Sequence, residues 1–178
     1  IRPANYPAGT PGVGVRVITV NGTDVLIVNL QGRVFMAQDL DCPFRTLDAI
    51  IEKEKNAKII IVDFHAEVTS EKIVLGHYAD GRVSAFLGTH THVATADARI
   101  LPKGTAYVTD LGMTGLRDSA IGADLSAVTQ MFLTQRSHPT MHDAPEEGAV
   151  VVNAVVIDID PITGKAYTIE RVQREVTV

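Results

Sequence analysis

The chain has 178 residues, 46% of them hydrophobic, and a formal net charge of −5 at pH 7. That is enough chain for a real core. The acidic balance, with no basic run, excludes a long nucleic acid gripped through its phosphates, which would need clustered Lys and Arg. A small phosphorylated ligand stays open, because a metal can supply local positive charge.

Residues 1–12, Ile-Arg-Pro-Ala-Asn-Tyr-Pro-Ala-Gly-Thr-Pro-Gly, hold three prolines and two glycines and predict an extended lead-in with turns. Val13 to Val20 and Asp24 to Leu30 are apolar runs joined through Asn21-Gly22. This predicts a hairpin, since both central residues of a type I′ turn need positive φ. Gln31 to Pro43 reads as loop. Phe44 to Asn56 reads as a helix, with Leu47, Ile50 and Ile51 at i, i+3 and i+4.

The stretch from Lys58 through Phe64 is a short, continuous, β-branched run, the pattern of a buried strand. Ser70 to about Tyr78 predicts a second helix. Val83 to Gly88 and Thr105 to Asp110 predict two further buried strands, and Asp124 to Thr134 a third helix. Val150 to Asp158, a turn from Asp160 to Gly164, and Ala166 to Val172 predict a closing hairpin. Helices between buried strands imply a parallel or mixed sheet covered on both faces, with the hairpins as antiparallel additions. No internal repeat or linker divides the chain, so one α/β unit is expected.

The single cysteine, Cys42, rules out an intrachain disulfide. Its neighbourhood contains no base, so it is read as an ordinary thiol. A lone cysteine, the absence of an apolar stretch of spanning length and the absence of a signal peptide together predict a cytoplasmic protein without a membrane partner.

Two of the predicted strands end in histidine: Ile59 to Val62 continues into Asp63-Phe-His65-Ala-Glu67, and Phe86 to Gly88 into Thr89-His90-Thr-His92. In open α/β sheets, ligand sites lie beyond the carboxyl ends of strands. If the two strands run parallel, His65, His90 and His92 meet at one edge. In an extended segment, the spacing of His90 and His92 would put both imidazoles on one side, with Thr89 and Thr91 turned to bond the backbone or the rings. Gly88 would let the chain leave the strand sharply.

A lone histidine at a strand end is more often an ordinary half-buried polar residue. An His-x-His pair with a third histidine on a second strand is better explained as a set of metal ligands. Each ring should then have its other nitrogen held by an acceptor, for which Asp63, Glu67, Asp97 and Asp110 are candidates. His77, within a helix, and His138 and His142, near Pro139 and Pro145, are read as surface or loop residues. Three histidines can make a mononuclear zinc site with an open position, or one part of a dinuclear site that activates water and stabilises charge on phosphorus.

These residues carry a resemblance. The segments Arg2-Pro-Ala-Asn-Tyr-Pro-Ala-Gly-Thr-Pro-Gly12, Asn29-Leu-Gln-Gly-Arg33, Asp63-Phe-His-Ala-Glu67 with Thr69-Ser-Glu-Lys72, Gly88-Thr-His-Thr-His-Val93, Ile100-Leu-Pro-Lys-Gly-Thr-Ala-Tyr107, Asp110-Leu-Gly-Met-Thr-Gly115 and Val155-Val-Ile-Asp-Ile-Asp160 run nearly end to end. Together they resemble the YmdB-like metallophosphoesterases, 2′,3′-cyclic-nucleotide phosphodiesterases related to the calcineurin-type enzymes. The resemblance implies a mixed-sheet α/β sandwich flanked by helices and two metal ions, iron or manganese. It places His65, His90 and His92 on ligand positions, and it implies a small phosphorylated nucleotide substrate and a homo-oligomer. Asp63 precedes a ligand and is not assigned as one.

The family's opening segment supplies an aspartate, a Glu-Asn pair and an Asn-His pair, whereas Ile1 matches a point after it. The chain is therefore expected to be the larger, C-terminal part of such an enzyme, a single domain incomplete at its N-terminus, in which no catalytic residue is identified. Two alternatives stand beside this reading: an inactive fragment or scaffold of the same fold, and a mononuclear zinc hydrolase built by the three histidines alone. Arg33 and Lys103 are read as solvated surface charge, and Gly112 to Gly115 either as a pocket wall or as a turn.

Overall fold

The computed structural model describes residues 1–137 and 147–177. The lead-in is a series of turns. Its Asn5 is buried and exchanges hydrogen bonds with the Gln31 backbone, at 2.8 and 3.0 Å. Strands β1 (Val15–Val20) and β2 (Thr23–Gln31) form the expected antiparallel hairpin, with Asn21 at φ 51° and Gly22 at φ 79°. Helix α1 (Pro43–Lys53) starts on a proline, whose missing N–H costs nothing in the first turn. It buries Leu47 and leans Ile50 and Ile51 on the core. It stops short of the expected Asn56, where Ala57 N–H turns back to the Glu54 carbonyl.

Strand β3 (Ile59–His65), helix α2 (Thr69–Ala79), strand β4 (Ala85–Thr89) and strand β6 (Ala106–Val108) follow the predicted order. Strand β5 (Arg99–Ile100) and strand β7 (Thr114–Leu116) are additional. Helix α3 (Leu125–Thr134) is capped by the Asp124 side chain, which accepts from Ala127 N–H at 2.7 Å. Strands β8 (Ala149–Ile159) and β9 (Ala166–Thr177) form the closing hairpin, longer than expected. His77 is an exposed residue of α2, as read from the sequence. The readings made for His138 and His142 lie outside the described residues.

The larger sheet has the order β1-β2-β3-β4-β6-β5; β2, β3, β4 and β6 run parallel, with antiparallel strands at both edges. The smaller sheet is β7-β8-β9, all antiparallel. Alternate residues of the parallel strands face opposite sides. Leu26, Val28, Leu30, Ile60, Val62, Phe64 and Phe86 pack with Leu47 of α1 and Leu75 of α2 in one core. Ile61, Leu87, Ala85 and Ala106 pack with Ile157, Ile159, Ala166 and Ile169 of the smaller sheet in another. The result is a mixed-sheet α/β sandwich flanked by helices, as expected. Each fully buried Phe of the helix-side core contributes about 1.5–3 kcal/mol of burial. Among the described residues, no helix is long and apolar enough to cross a membrane.

The parallel pairing fixes the geometry that follows. His65 lies opposite Thr89 in the β3–β4 register, so the histidine-bearing ends of both strands emerge at the same edge.

Candidate metal centre

His65 ends β3 on the face turned away from the helices, in line with Ile61 and Asp63. Its Nδ1 lies 3.1 Å from Thr89 Oγ1. That hydroxyl donates to Asp63 Oδ1 at 3.3 Å, and Asp63 Oδ2 accepts from Asn29 Nδ2 at 2.6 Å. Since the Thr89 proton goes to the carboxylate, the hydroxyl accepts the proton of His65 Nδ1. The Nε2 lone pair is left facing outward. Burial lowers the His65 pKa below the ordinary imidazole range; His90 pushes the same way, against the opposing charge of Asp63. The ring is thereby held neutral, the form in which it can bind a cation.

His90 is the partner that Nε2 faces. His90 Nδ1 sits 3.1 Å from His65 Nε2, the two rings meeting edge to face. On its far side, His90 Nε2 contacts Glu67 Oε2 very closely. At 3.1 Å the two nitrogens are within hydrogen-bond distance of each other, with either ring as the donor. Two nitrogens bound to one ion at about 2.1 Å, subtending roughly 90–110°, are about 3.0–3.4 Å apart. The observed 3.1 Å fits that separation.

His92 is oriented differently. Its Nδ1 donates to the Ile121 carbonyl at 2.7 Å, which leaves Nε2 as a lone pair on an exposed ring. The extended geometry expected of His90 and His92 is thus corrected. His90 has φ 139° and His92 φ 64°, so the segment is a turn, and spacing by two residues does not place the rings on one side. Among the described residues, no group of three or more His, Cys, Asp or Glu side chains is arranged to hold an ion by itself. The structure brings His65 and His90 together and gives His92 a separate anchor.

Each ring nevertheless has one nitrogen held from behind, by Thr89, Glu67 or the Ile121 carbonyl, while the second nitrogens of His65 and His90 face each other and that of His92 has no hydrogen-bond partner among the described residues, which suits ligands whose orientation is set from behind. Of the four acceptors considered from sequence, Glu67 holds His90 directly and Asp63 acts on His65 through Thr89. Asp97 instead binds Thr95 and Thr109, and Asp110 binds Lys72 and two backbone N–H groups. The Ile121 carbonyl was missed, and no sequence signal marks a backbone acceptor. Thr89 and Thr91 divide the work as expected, Thr89 bonding a ring and Thr91 Oγ1 the Val93 carbonyl at 3.0 Å.

The reading of Gly88 is also corrected. It lies within β4 rather than at a turn, and a Cβ there would overlap the Thr109 carbonyl oxygen. Arg33 and Lys103 are exposed, as expected. Cys42 occupies the N-cap position of α1 without a side-chain cap bond. The Gly112 to Gly115 segment combines a turn, with Gly112 at φ 82°, and the start of β7.

Comparison with known proteins gives consistent results. A family model described as YmdB-like protein matches residues 1–172. A Bacillus subtilis (strain 168) protein named 2′,3′-cyclic-nucleotide 2′-phosphodiesterase is 50% identical over 173 residues, covering 97% of this chain and 64% of that protein. The crystal structure of a hypothetical protein from Thermus thermophilus superposes with a TM-score of 0.91 at 46% identity, covering 98% of this chain and 67% of that one. That of a novel phosphatase from Mycoplasma pneumoniae gives 0.89 at 34% identity, covering 98% of this chain and 63% of that one. The chain therefore spans 64% of the length of the Bacillus relative.

Proposed function

Because this chain belongs to the YmdB-like protein family, we propose that it carries one flank of a dinuclear metal centre in a phosphodiesterase acting on 2′,3′-cyclic nucleotides. The observation that carries the proposal is the pair of nitrogens His65 Nε2 and His90 Nδ1, 3.1 Å apart, with Thr89 and Glu67 occupying their far sides. In this reading His65 and His90 would hold one ion and His92, through Nε2, the other. When bound, such ions activate water and neutralise the charge that develops on phosphorus.

The residues of this chain bind and orient. Thr89, with Asp63 and Asn29 behind it, fixes the His65 tautomer; Glu67 fixes that of His90; the Ile121 carbonyl fixes that of His92. The remaining ligands and the proton donor to the leaving ribose oxygen are proposed to come from outside these residues, which agrees with the chain's 64% share of its Bacillus relative. Iron or manganese is the proposed metal. A cytoplasmic setting suits the lone Cys42, and a homo-oligomer would give cover to Phe132 and Leu133 of α3, which are 75% and 74% exposed.

The test is metal content by elemental analysis together with turnover of a 2′,3′-cyclic nucleotide by the full-length protein, with and without His65→Ala. Joint loss of metal and turnover is expected. Full metal content with full turnover in the variant would overturn the assignment.

A further inference from the structure

Beneath the His90–His92 turn lies an ion pair that the proposed chemistry does not use. Lys72 of α2 is fully buried, and its Nζ donates to Asp110 Oδ2 at 2.8 Å; Asp110 is 1% exposed. The lysine reaches that point across Gly88, the bare position of β4. The Lys72 Cδ would stand 3.0 Å from a Cβ at Gly88, so any larger residue would crowd its stem as well as strike the Thr109 carbonyl.

Asp110 is tied to the turn by its carboxylate and to the chain beyond the turn by its backbone. Asp110 Oδ2 also accepts from Thr91 N–H at 2.9 Å, the residue between the two histidines. Asp110 Oδ1 accepts from Gly112 N–H at 2.9 Å. Its backbone N–H and carbonyl bond Thr95 at 2.9 and 3.0 Å, beyond the turn. The anchored turn is one the chain does not adopt freely, because His90 and His92 both have positive φ without being glycine. Such conformations persist only where the surroundings over-determine them.

A buried ion pair is a costly way to fill a core, since apolar residues of similar volume often serve as well or better. Here the pair sits where the backbone of a ligand turn needs an acceptor of fixed position. We propose that Lys72 and Asp110 are positioning residues. Lys72 fixes the Asp110 carboxylate, and the carboxylate holds Thr91 N–H so that His90 and His92 present their ligand nitrogens from a strained turn.

This rests on the metal-centre reading above, and the experiment separates the two. In the full-length protein, Mn²⁺ binding is titrated for the wild type, for His65→Ala as control, and for two paired variants: Lys72→Met with Asp110→Leu, and Lys72→Met with Asp110→Asn. Both pairs remove the buried charges together, which avoids leaving one unpaired. Only the asparagine pair keeps an oxygen for Thr91 N–H.

The expected result is Mn²⁺ affinity reduced by about 10–100-fold in the leucine pair, the range for lost orienting partners. The asparagine pair should recover most of the affinity, and Thr91 amide protection should follow the same order. If the leucine pair fails to fold, the asparagine pair is compared with wild type by Thr91 amide protection and Mn²⁺ affinity together: affinity that falls or holds in step with Thr91 protection supports the anchor, and wild-type affinity with Thr91 unprotected overturns it. Wild-type affinity in a folded leucine pair, or affinity that tracks melting temperature with no rescue by asparagine, also overturns it. If His65→Ala binds as many Mn²⁺ ions as the wild type, and as tightly, the metal-centre reading itself has failed.

Discussion

His65 Nε2 and His90 Nδ1 lie 3.1 Å apart, although 25 residues separate them in sequence. The parallel pairing of β3 with β4 brings them together, and a third ring, His92, is held away from them by the Ile121 carbonyl. The arrangement predicts unequal metal loss. His65→Ala and His90→Ala should each release the same ion, and the double variant no more than either single one. His92→Ala should release the other ion, so His65→Ala with His92→Ala should empty the site. Metal-to-protein ratios for these variants check this. Complete metal loss on His65→Ala alone would instead support a single ion shared by all three rings.

Glu67 is the sole carboxylate in direct contact with any of the three rings among the described residues, and it touches His90 at the nitrogen opposite His65. Glu67→Ala should therefore weaken metal binding by about 10–100-fold without removing a ligand. Glu67→Gln keeps an acceptor oxygen and should lose less. Titration with Mn²⁺ distinguishes the two; equal affinity in wild type and Glu67→Ala would remove Glu67 from the site.

Much of the scaffold was legible because its signals are local. Asn21-Gly22 states its own turn, and the β-branched run before Asp63 reads as a buried strand. The histidines could be placed at one edge because strand ends converge in parallel sheets. What escaped was short or non-local. Arg99–Ile100 is too brief for a period-two pattern, and Thr114-Gly115-Leu116 reads as turn because of its glycine. Lys72 follows Ser70 and Glu71, so the local pattern marks a solvated helix start, whereas its burial is set by Asp110, 38 residues onward. The one signal that pointed there was Gly88, a glycine inside a buried strand, which often marks close backbone approach.

That glycine supports a stability prediction. Gly88→Ala would place a methyl on the Thr109 carbonyl oxygen, part of the backbone, with the Lys72 stem closing the other side. Backbone cannot give way as a flexible side chain does. Overpacking of this kind costs about 1–3 kcal/mol, occasionally more. Urea denaturation should show a lower midpoint with an unchanged slope. An unchanged midpoint would mean that β4 and β6 can part there at little cost.

The last prediction concerns acid, and its sign follows from which groups the fold holds below their ordinary pKa. Burial lowers that of His65, helped by His90, so the folded state resists protonation more than the unfolded chain does. Its contribution is fully present above the unfolded imidazole value of about 6.5. It is lost as pH falls from there through the folded value. Asp110 and Asp97 behave alike lower down. Burial raises both, but the Lys72, Thr91 and Gly112 donors outweigh it at Asp110, and the Thr109 and Thr95 donors at Asp97. Their contribution is intact above the unfolded aspartate value of about 3.9 and is lost below it. The metal-free protein should therefore lose stability in two stages, one starting near pH 6.5 and one near pH 3.9. Urea midpoints measured across that range in chelator should resolve both stages. His65→Asn should abolish the upper stage and leave the lower one in place; an upper stage that survives the substitution would assign it to another group.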